Sequence, residues 1–251
     1  MKGFLAALTL FTRIPAWKLA ELKEDDYRKA VVYWPLTGWI TGSVAGGVIY
    51  ALACIIPMLP AVVLGLGCRM LLTCALHEDG LADFCDGFGG GTDKERILAI
   101  MKDSHIGTYG VVGLIFYFLL EVSILSSMPA TVAALAIIAA DPFSKFSAST
   151  IVGFLDYARP EGAKNKIHYD RLTSVTYLMS LAFGFIPTIP LLLYDNIEIG
   201  AMVFTLLVMG AMIGYLKKKI SGYTGDCCGA AYLICEMSMM TGIIILWSLW
   251  N

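Results

Sequence analysis

Charge is what this chain has least of. Only 15% of its 251 residues are Asp, Glu, Lys or Arg, against about 25% in an ordinary soluble domain. Apolar residues reach 58% and the mean hydropathy is +0.73, a balance that excludes a typical water-soluble globule. A net charge of −2 carries no signal for nucleic acid, and neither a basic block nor an internal repeat appears, so no nucleic-acid partner is expected. A secretory leader is not expected either. The stretch from Gly3 to Phe11 is apolar, but it runs through Arg13 and Pro15 into charged residues without a small-residue cleavage site. It reads as a helix lying in the membrane interface. Cys-x-x-Cys pairs are also missing. The seven cysteines are an odd number and mostly fall in apolar runs, which fits reduced thiols packed as small hydrophobes.

What is present is a series of apolar runs near the roughly 20 residues a helix needs to cross a bilayer. We read about seven spans, near 31–56, 61–77, 109–128, 130–155, 175–194, 199–216 and 229–250. The fold class is therefore an all-α polytopic membrane bundle with an N-terminal interfacial helix, residues 1–251 forming one membrane domain. Pro57 and Pro60 divide the first two spans, Pro129 the third from the fourth, and Pro187 and Pro190 kink the fifth. Gly38, Gly42 and Gly46 recur every fourth residue, with Gly47 beside them, a stripe for close helix contact. Of the eighteen Lys and Arg residues, only Arg69 and Lys145 fall inside spans. The others lie before the first span or follow the second, fourth and sixth, and the connections around Pro57, Pro129 and Asn196 hold none. The positive-inside rule then puts the N-terminus and three polar loops, near 77–110, 156–173 and 217–229, in the cytoplasm. The expected location is the cytoplasmic (inner) membrane, with lipid as a partner and a homo-oligomer allowed.

Chemistry concentrates in these loops. From His77 to Gly91 the chain reads HEDGLADFCDGFGGG. Asp79 and Asp83 are four apart and share a helical face, with Asp86 three further on. Carboxylates on one stripe repel unless solvated or bridged by a cation, and hard oxygen ligands suit Mg²⁺. A solvated helix end is the plainer reading. His77 can serve as a base, a ligand or a hydrogen-bonded structural group. The glycines from Gly87 to Gly91 allow backbone amides to approach a phosphate. In the segment MKDSHIGTYG, Lys102, Ser104 and His105 can donate to phosphate oxygens, and Asp103 can complete a metal shell. The helix N-terminus that follows would favour an anion. Asp141 and Lys145 make an i, i+4 pair inside a span, for which an ion pair and a substrate role are both open. Arg69 has no local partner, so it either reaches toward the site or meets an acid on another span. Asp226 precedes the last span and Glu236 lies about three turns along it. Both are metal-ligand candidates that need not share one ion, and Glu236 has the alternative of pairing with Arg69.

Taken in order, FTRIP from Phe11 to Pro15, HEDGLADFCDG, IMKDSHIGTYG, YARPEG and GYTGDCCGA resemble the cobalamin synthase (adenosylcobinamide-GDP ribazoletransferase) family, nearly end to end. Lys145 and His105 stand where members of that family often carry arginine. The resemblance implies a Mg²⁺-dependent membrane transferase acting on adenosylcobinamide-GDP and α-ribazole or its 5′-phosphate. The products are adenosylcobalamin or its 5′-phosphate and GMP. It implies a metal on Asp79 and Asp83 at the diphosphate, Asp86 as general base or second-metal ligand, and Lys102, Arg159 and Arg69 balancing phosphate charge. Two other readings compete. A CDP-alcohol phosphotransferase shares Asp79, Gly80, Ala82 and Asp83 but lacks the arginine and long gap of that pattern. An ion or metal transporter would use Asp79, Asp83, Asp141 and Lys145 as a pathway, although transporter sites lie near the midplane.

Overall fold

A computed structural model describes residues 1–158, 169–194 and 198–250. Among them the regular structure is helical, apart from one isolated bridge between Tyr157 and Tyr223. In chain order the helices are α1 (Lys2–Phe11), α2 (Glu24–Arg28), α3 (Trp34–Ala53), α4 (Met58–Thr73), α5 (Leu76–Gly90), α6 (Lys94–Ile100) and α7 (Thr108–Ser126). They are followed by α8 (Ala130–Ser149), α9 (Ile151–Phe154), α10 (Ser174–Phe185), α11 (Ile189–Tyr194), α12 (Glu198–Ile220) and α13 (Gly225–Trp250). Among the described residues six segments are long and apolar enough to cross a membrane, and a bent pair of helices makes the total up to seven.

Local chemistry sets the ends. Pro35 sits in the first turn of α3, where its missing N–H costs nothing. Asp93 caps α6 by accepting from Arg96 N at 2.9 Å, and Thr173 caps α10 through Thr176 N at 3.3 Å. The proline pair of the fifth span acts as expected, with α10 passing through a 3₁₀ turn at Ile186–Thr188 into α11.

The central contact is α3 against α8. A Cβ on Gly38 would lie 2.7 Å from Pro142 Cα, one on Gly42 3.1 Å from Ile137 O, and one on Gly46 2.8 Å from Ala134 O. Any side chain at these three positions would push the helices apart, so the glycine stripe is the contact itself. Gly47 faces open space and takes no part. α8 is the hub, with all but a few of its residues buried.

The second span differs from its expected course. α4 stops at Thr73, four residues short of the 61–77 span, and α5 leaves it at 90°. Cys74 and Ala75 make the corner in the left-handed region, at φ 57° and 54°, which costs L-residues about 1–2 kcal/mol each. The FTRIP segment offsets this strain. Arg13 donates its backbone N–H to Leu72 O at 2.8 Å and its Nε–H to Cys74 Sγ at 2.9 Å. α1 buries Leu5, Ala6, Ala7 and Leu8, which fixes Phe11 and Arg13 over this corner. All seven cysteines are free.

Candidate active site

The turned helix α5 lies against the start of α13. A Cβ on Gly80 would sit 3.0 Å from Asp226 O, and one on Gly229 3.4 Å from His77 O. This crossing, with the start of α3, the end of α8 and the end of α1, encloses a cavity of about 550 Å³. His77, Asp79, Lys145 and Asp226 lie on its wall with a run of aromatic side chains. Asp79 is exposed and Asp226 partly exposed, whereas His77 is buried. The His77 ring stacks on Phe11 at 5.4 Å and meets Tyr232 edge-on at 4.6 Å. Two further walls are loops joined to each other: Tyr223 N donates to Asp156 O at 3.0 Å, and Ala158 N to Tyr223 O at 2.8 Å. Burial raises the phenol pKa of Tyr169 and Tyr223, so both stay neutral hydroxyls. Asp83, one turn beyond Asp79 on α5, is partly exposed and outside the cavity wall.

Three expectations are corrected. Asp86 is neither a free base nor an open metal ligand. It is buried, and its carboxylate accepts from Gly107 N at 2.6 Å and Gly110 N at 2.8 Å. The anion expected at the N-terminus of α7 is therefore this side chain, which satisfies two donors the helix leaves open. Glu236 is likewise no metal ligand. It takes the guanidinium of Arg69 on both oxygens, Nη2–Oε2 measuring 2.9 Å. Arg69, 3% exposed, cannot reach a substrate phosphate for the same reason.

Around this pair a buried network joins five helices. Arg69 Nη2 donates to Tyr117 Oη at 2.7 Å, and Tyr117 and Tyr232 donate to Glu236 at 2.9 and 3.2 Å. Asp141 Oδ2 lies 3.7 Å from Arg69 Nη1 and accepts from Thr41 at 2.7 Å. Lys145 pairs with Asp141 and donates to Thr41 at 2.8 Å. The two cations and two carboxylates balance, as charges held in lipid must. Of the two openings the sequence left for Lys145, the structure shows the ion pair; the residue also lines the cavity, its Nζ 4.4 Å from the Tyr232 ring centroid.

The segment expected to donate to phosphate stands apart. Lys102, Asp103, Ser104 and His105 form an exposed turn and do not line the cavity. Asp103 accepts from the His105 ring at 2.6 Å and from its backbone N at 3.1 Å. The hydrogen bond from His105 lowers the Asp103 pKa, and Asp103 in turn raises that of His105. Arg159 lies outside the described residues. The aromatic wall was missed from sequence, although Phe11, Tyr157 and Tyr223 each sit within a motif already singled out. That placement was the available signal.

The comparisons with known proteins cover almost the whole chain. The family model for cobalamin-5-phosphate synthase matches residues 3–244. Among curated relatives, the adenosylcobinamide-GDP ribazoletransferase of Ralstonia pickettii (strain 12J) is 36% identical over 95% of this chain and 93% of its own. Proteins of the same description from Clostridium novyi (strain NT) and Shewanella amazonensis (strain ATCC BAA-1098 / SB2B) are 32% and 36% identical. The first match covers 97% of both chains, the second 98% of this chain and 95% of its own. No solved structure matches. With motifs, membrane helices and full-length relatives in agreement, the chain belongs to the cobalamin-5-phosphate synthase family.

Proposed function

We propose that this protein is an adenosylcobinamide-GDP ribazoletransferase of the cytoplasmic membrane. It joins α-ribazole, or its 5′-phosphate, to adenosylcobinamide-GDP, giving adenosylcobalamin, or its 5′-phosphate, and GMP. The observation that carries this reading is the cavity wall, where Asp79, Asp226 and Lys145 from three helices meet an aromatic lining. A ribose hydroxyl attacks the cobinamide-linked phosphorus, a P–O bond forms, and the P–O bond to GMP breaks. Such a transfer demands positioning and charge neutralisation rather than covalent help from the protein. Asp79 and Asp226 are the accessible carboxylates at the wall, Lys145 is held there in its pair with Asp141, and the attacking hydroxyl gives up its proton to solvent.

The donor set suits Mg²⁺. That ion favours one or two carboxylates completed by substrate phosphates over an all-protein cage. Asp79 and Asp226 supply two, and among the described residues no cluster of three or more metal-ligating side chains forms. When bound, the ion neutralises diphosphate charge. Orientation follows from the one-sided Lys and Arg count, which favours a cytoplasmic site. The transporter reading is not favoured, because Asp141 is held by Thr41 and Lys145. The decisive experiment supplies purified protein in detergent with adenosylcobinamide-GDP, α-ribazole and Mg²⁺. Stoichiometric GMP and adenosylcobalamin are expected and are lost with EDTA. Absence of GMP under these conditions would overturn the reading.

A further inference from the structure

The start of α13 opens onto the cavity. Gly225 and Asp226, in its first turn, line the wall, and nothing lies within 4 Å of where a Cβ on Gly225 would stand. A helix leaves its first N–H groups without partners inside the helix, and their partial charge favours an anion. Thr224 takes one of them, from Cys227, at 3.3 Å. Two phenols stand beside this helix end. Tyr223, two residues before Gly225, and Tyr169 both line the cavity. Neither hydroxyl makes a hydrogen bond among the described residues, and neither oxygen is among the buried polar atoms closed off without a partner. Tyr223 is only 4% exposed, and the cavity is the space beside it. Burial and, after it, the Cys228 thiol raise both pKa values, and Tyr169 adds to that of Tyr223. Both groups keep their protons and can donate.

The chain holds both rings in place. A Cβ on Gly222 would collide with Asp156 O, so glycine there lets the loop of Tyr223 pair with that of Tyr157. Tyr169 meets Trp34 edge-on at 5.1 Å, and the next residue, Asp170, donates its N–H to Arg28 O at 2.9 Å. Resting on the function proposed above, we propose that Tyr169, Tyr223 and the first turn of α13 form a phosphate-binding subsite, the two hydroxyls donating to phosphoryl oxygens. Lys145 is paired with Asp141, and Tyr232 donates to Glu236 at 3.2 Å, so these two wall residues have other partners. A phosphoryl group beside Asp79 and Asp226 meets carboxylates on one side and needs donors on the other. Neutral phenols supply them without burying a further charge. A neutral sugar or ring would gain little from the helix end, which is why the class assigned is an anion. The group is either the nucleotide's diphosphate, one phosphate of which leaves in GMP, or the 5′-phosphate of phosphorylated ribazole.

The test titrates the full chain in detergent with GMP, α-ribazole and α-ribazole 5′-phosphate by calorimetry in the presence of Mg²⁺. Tyr169→Phe and Tyr223→Phe each remove one oxygen without a protein partner, so the melting temperature without ligand should hold. Each should weaken a phosphate-bearing probe about 10-fold, the loss of a hydrogen bond to a charged group, and leave α-ribazole unchanged. Weakened GMP places the subsite at the donor nucleotide, and a weakened 5′-phosphate alone places it at the acceptor. Unchanged or absent binding of both phosphates would overturn the subsite. So would an equal loss for α-ribazole and its 5′-phosphate, or variants that melt early without ligand, which makes the hydroxyls structural. GMP release by wild type on the same preparation separates the levels. Turnover with phosphate binding untouched in the variants removes the subsite and leaves the reaction. Phosphate binding that depends on the hydroxyls, without turnover, does the reverse.

Discussion

Arg69 on α4 and Glu236 on α13, 167 residues apart in sequence, face each other inside the bundle, with Nη2 2.9 Å from Oε2. Removing one partner strands a charge, which costs about 3–5 kcal/mol, whereas replacing both with apolar residues is near neutral. Arg69→Leu and Glu236→Leu should each sharply lower the melting temperature in detergent, and the double variant should recover most of the loss. Additive losses in the double variant would contradict a paired structural role.

The Asp86 carboxylate is expected to act on folding rather than on metal. Asp86→Asn removes the charged acceptor of two amide bonds, each worth about 1.5–3 kcal/mol when charge-assisted. The amides of Gly107 and Gly110 should lose hydrogen-exchange protection, while the Mg²⁺ dependence of turnover stays put. A rightward shift in the Mg²⁺ requirement would return Asp86 to the metal shell.

Asp79→Asn and Asp226→Asn should do the reverse. Both residues are at least partly exposed, so stability should change by less than about 1 kcal/mol. Turnover should fall by about 10²-fold or more, with partial recovery at raised Mg²⁺ for at least one of them. Normal turnover in both would exclude the proposed donor set.

His105 provides a test in pH. Its folded pKa lies above the ordinary histidine value because of Asp103. The charged pair is therefore complete below that ordinary value and is lost as pH rises through the raised one. In an NMR titration the His105 ring should hold its proton to higher pH than free histidine. Asp103→Asn should move it back to the ordinary range, and no movement would mean the pair is absent in solution.

Orientation can be read with reporters. A fusion after Lys219 should register as cytoplasmic and one after Asn251 as external, as the distribution of Lys and Arg requires. The opposite outcomes would place the cavity on the other side of the membrane.

Sequence pattern reached some of this structure and stopped at definite points. The stripe of Gly38, Gly42 and Gly46 was legible because small residues at helical spacing have one use in a membrane. Asp79 and Asp83 stood out for their spacing of four on one helical face, but only Asp79 reaches the cavity wall. The corner at Cys74 and Ala75 was not legible, since neither glycine nor proline marks it. Asp86 was misread because its stripe with Asp79 is real, yet its partners are backbone amides more than twenty residues away, which no local pattern reveals. Trp34 escaped notice because an aromatic residue at a helix start ordinarily reads as an interfacial anchor.

The early end of α4 has a bearing on how the substrates arrive. Its 16 residues rise about 24 Å at 1.5 Å each, some 6 Å less than a typical hydrocarbon core. With α4 as a full crossing, the perpendicular α5 and Asp79 would lie near one edge of the hydrocarbon layer. A corrin nucleotide reaching that depth travels past headgroups, so bilayer thickness becomes a kinetic variable. Thin, short-chain lipids leave the mouth open to water, and thick ones bring acyl chains up around it.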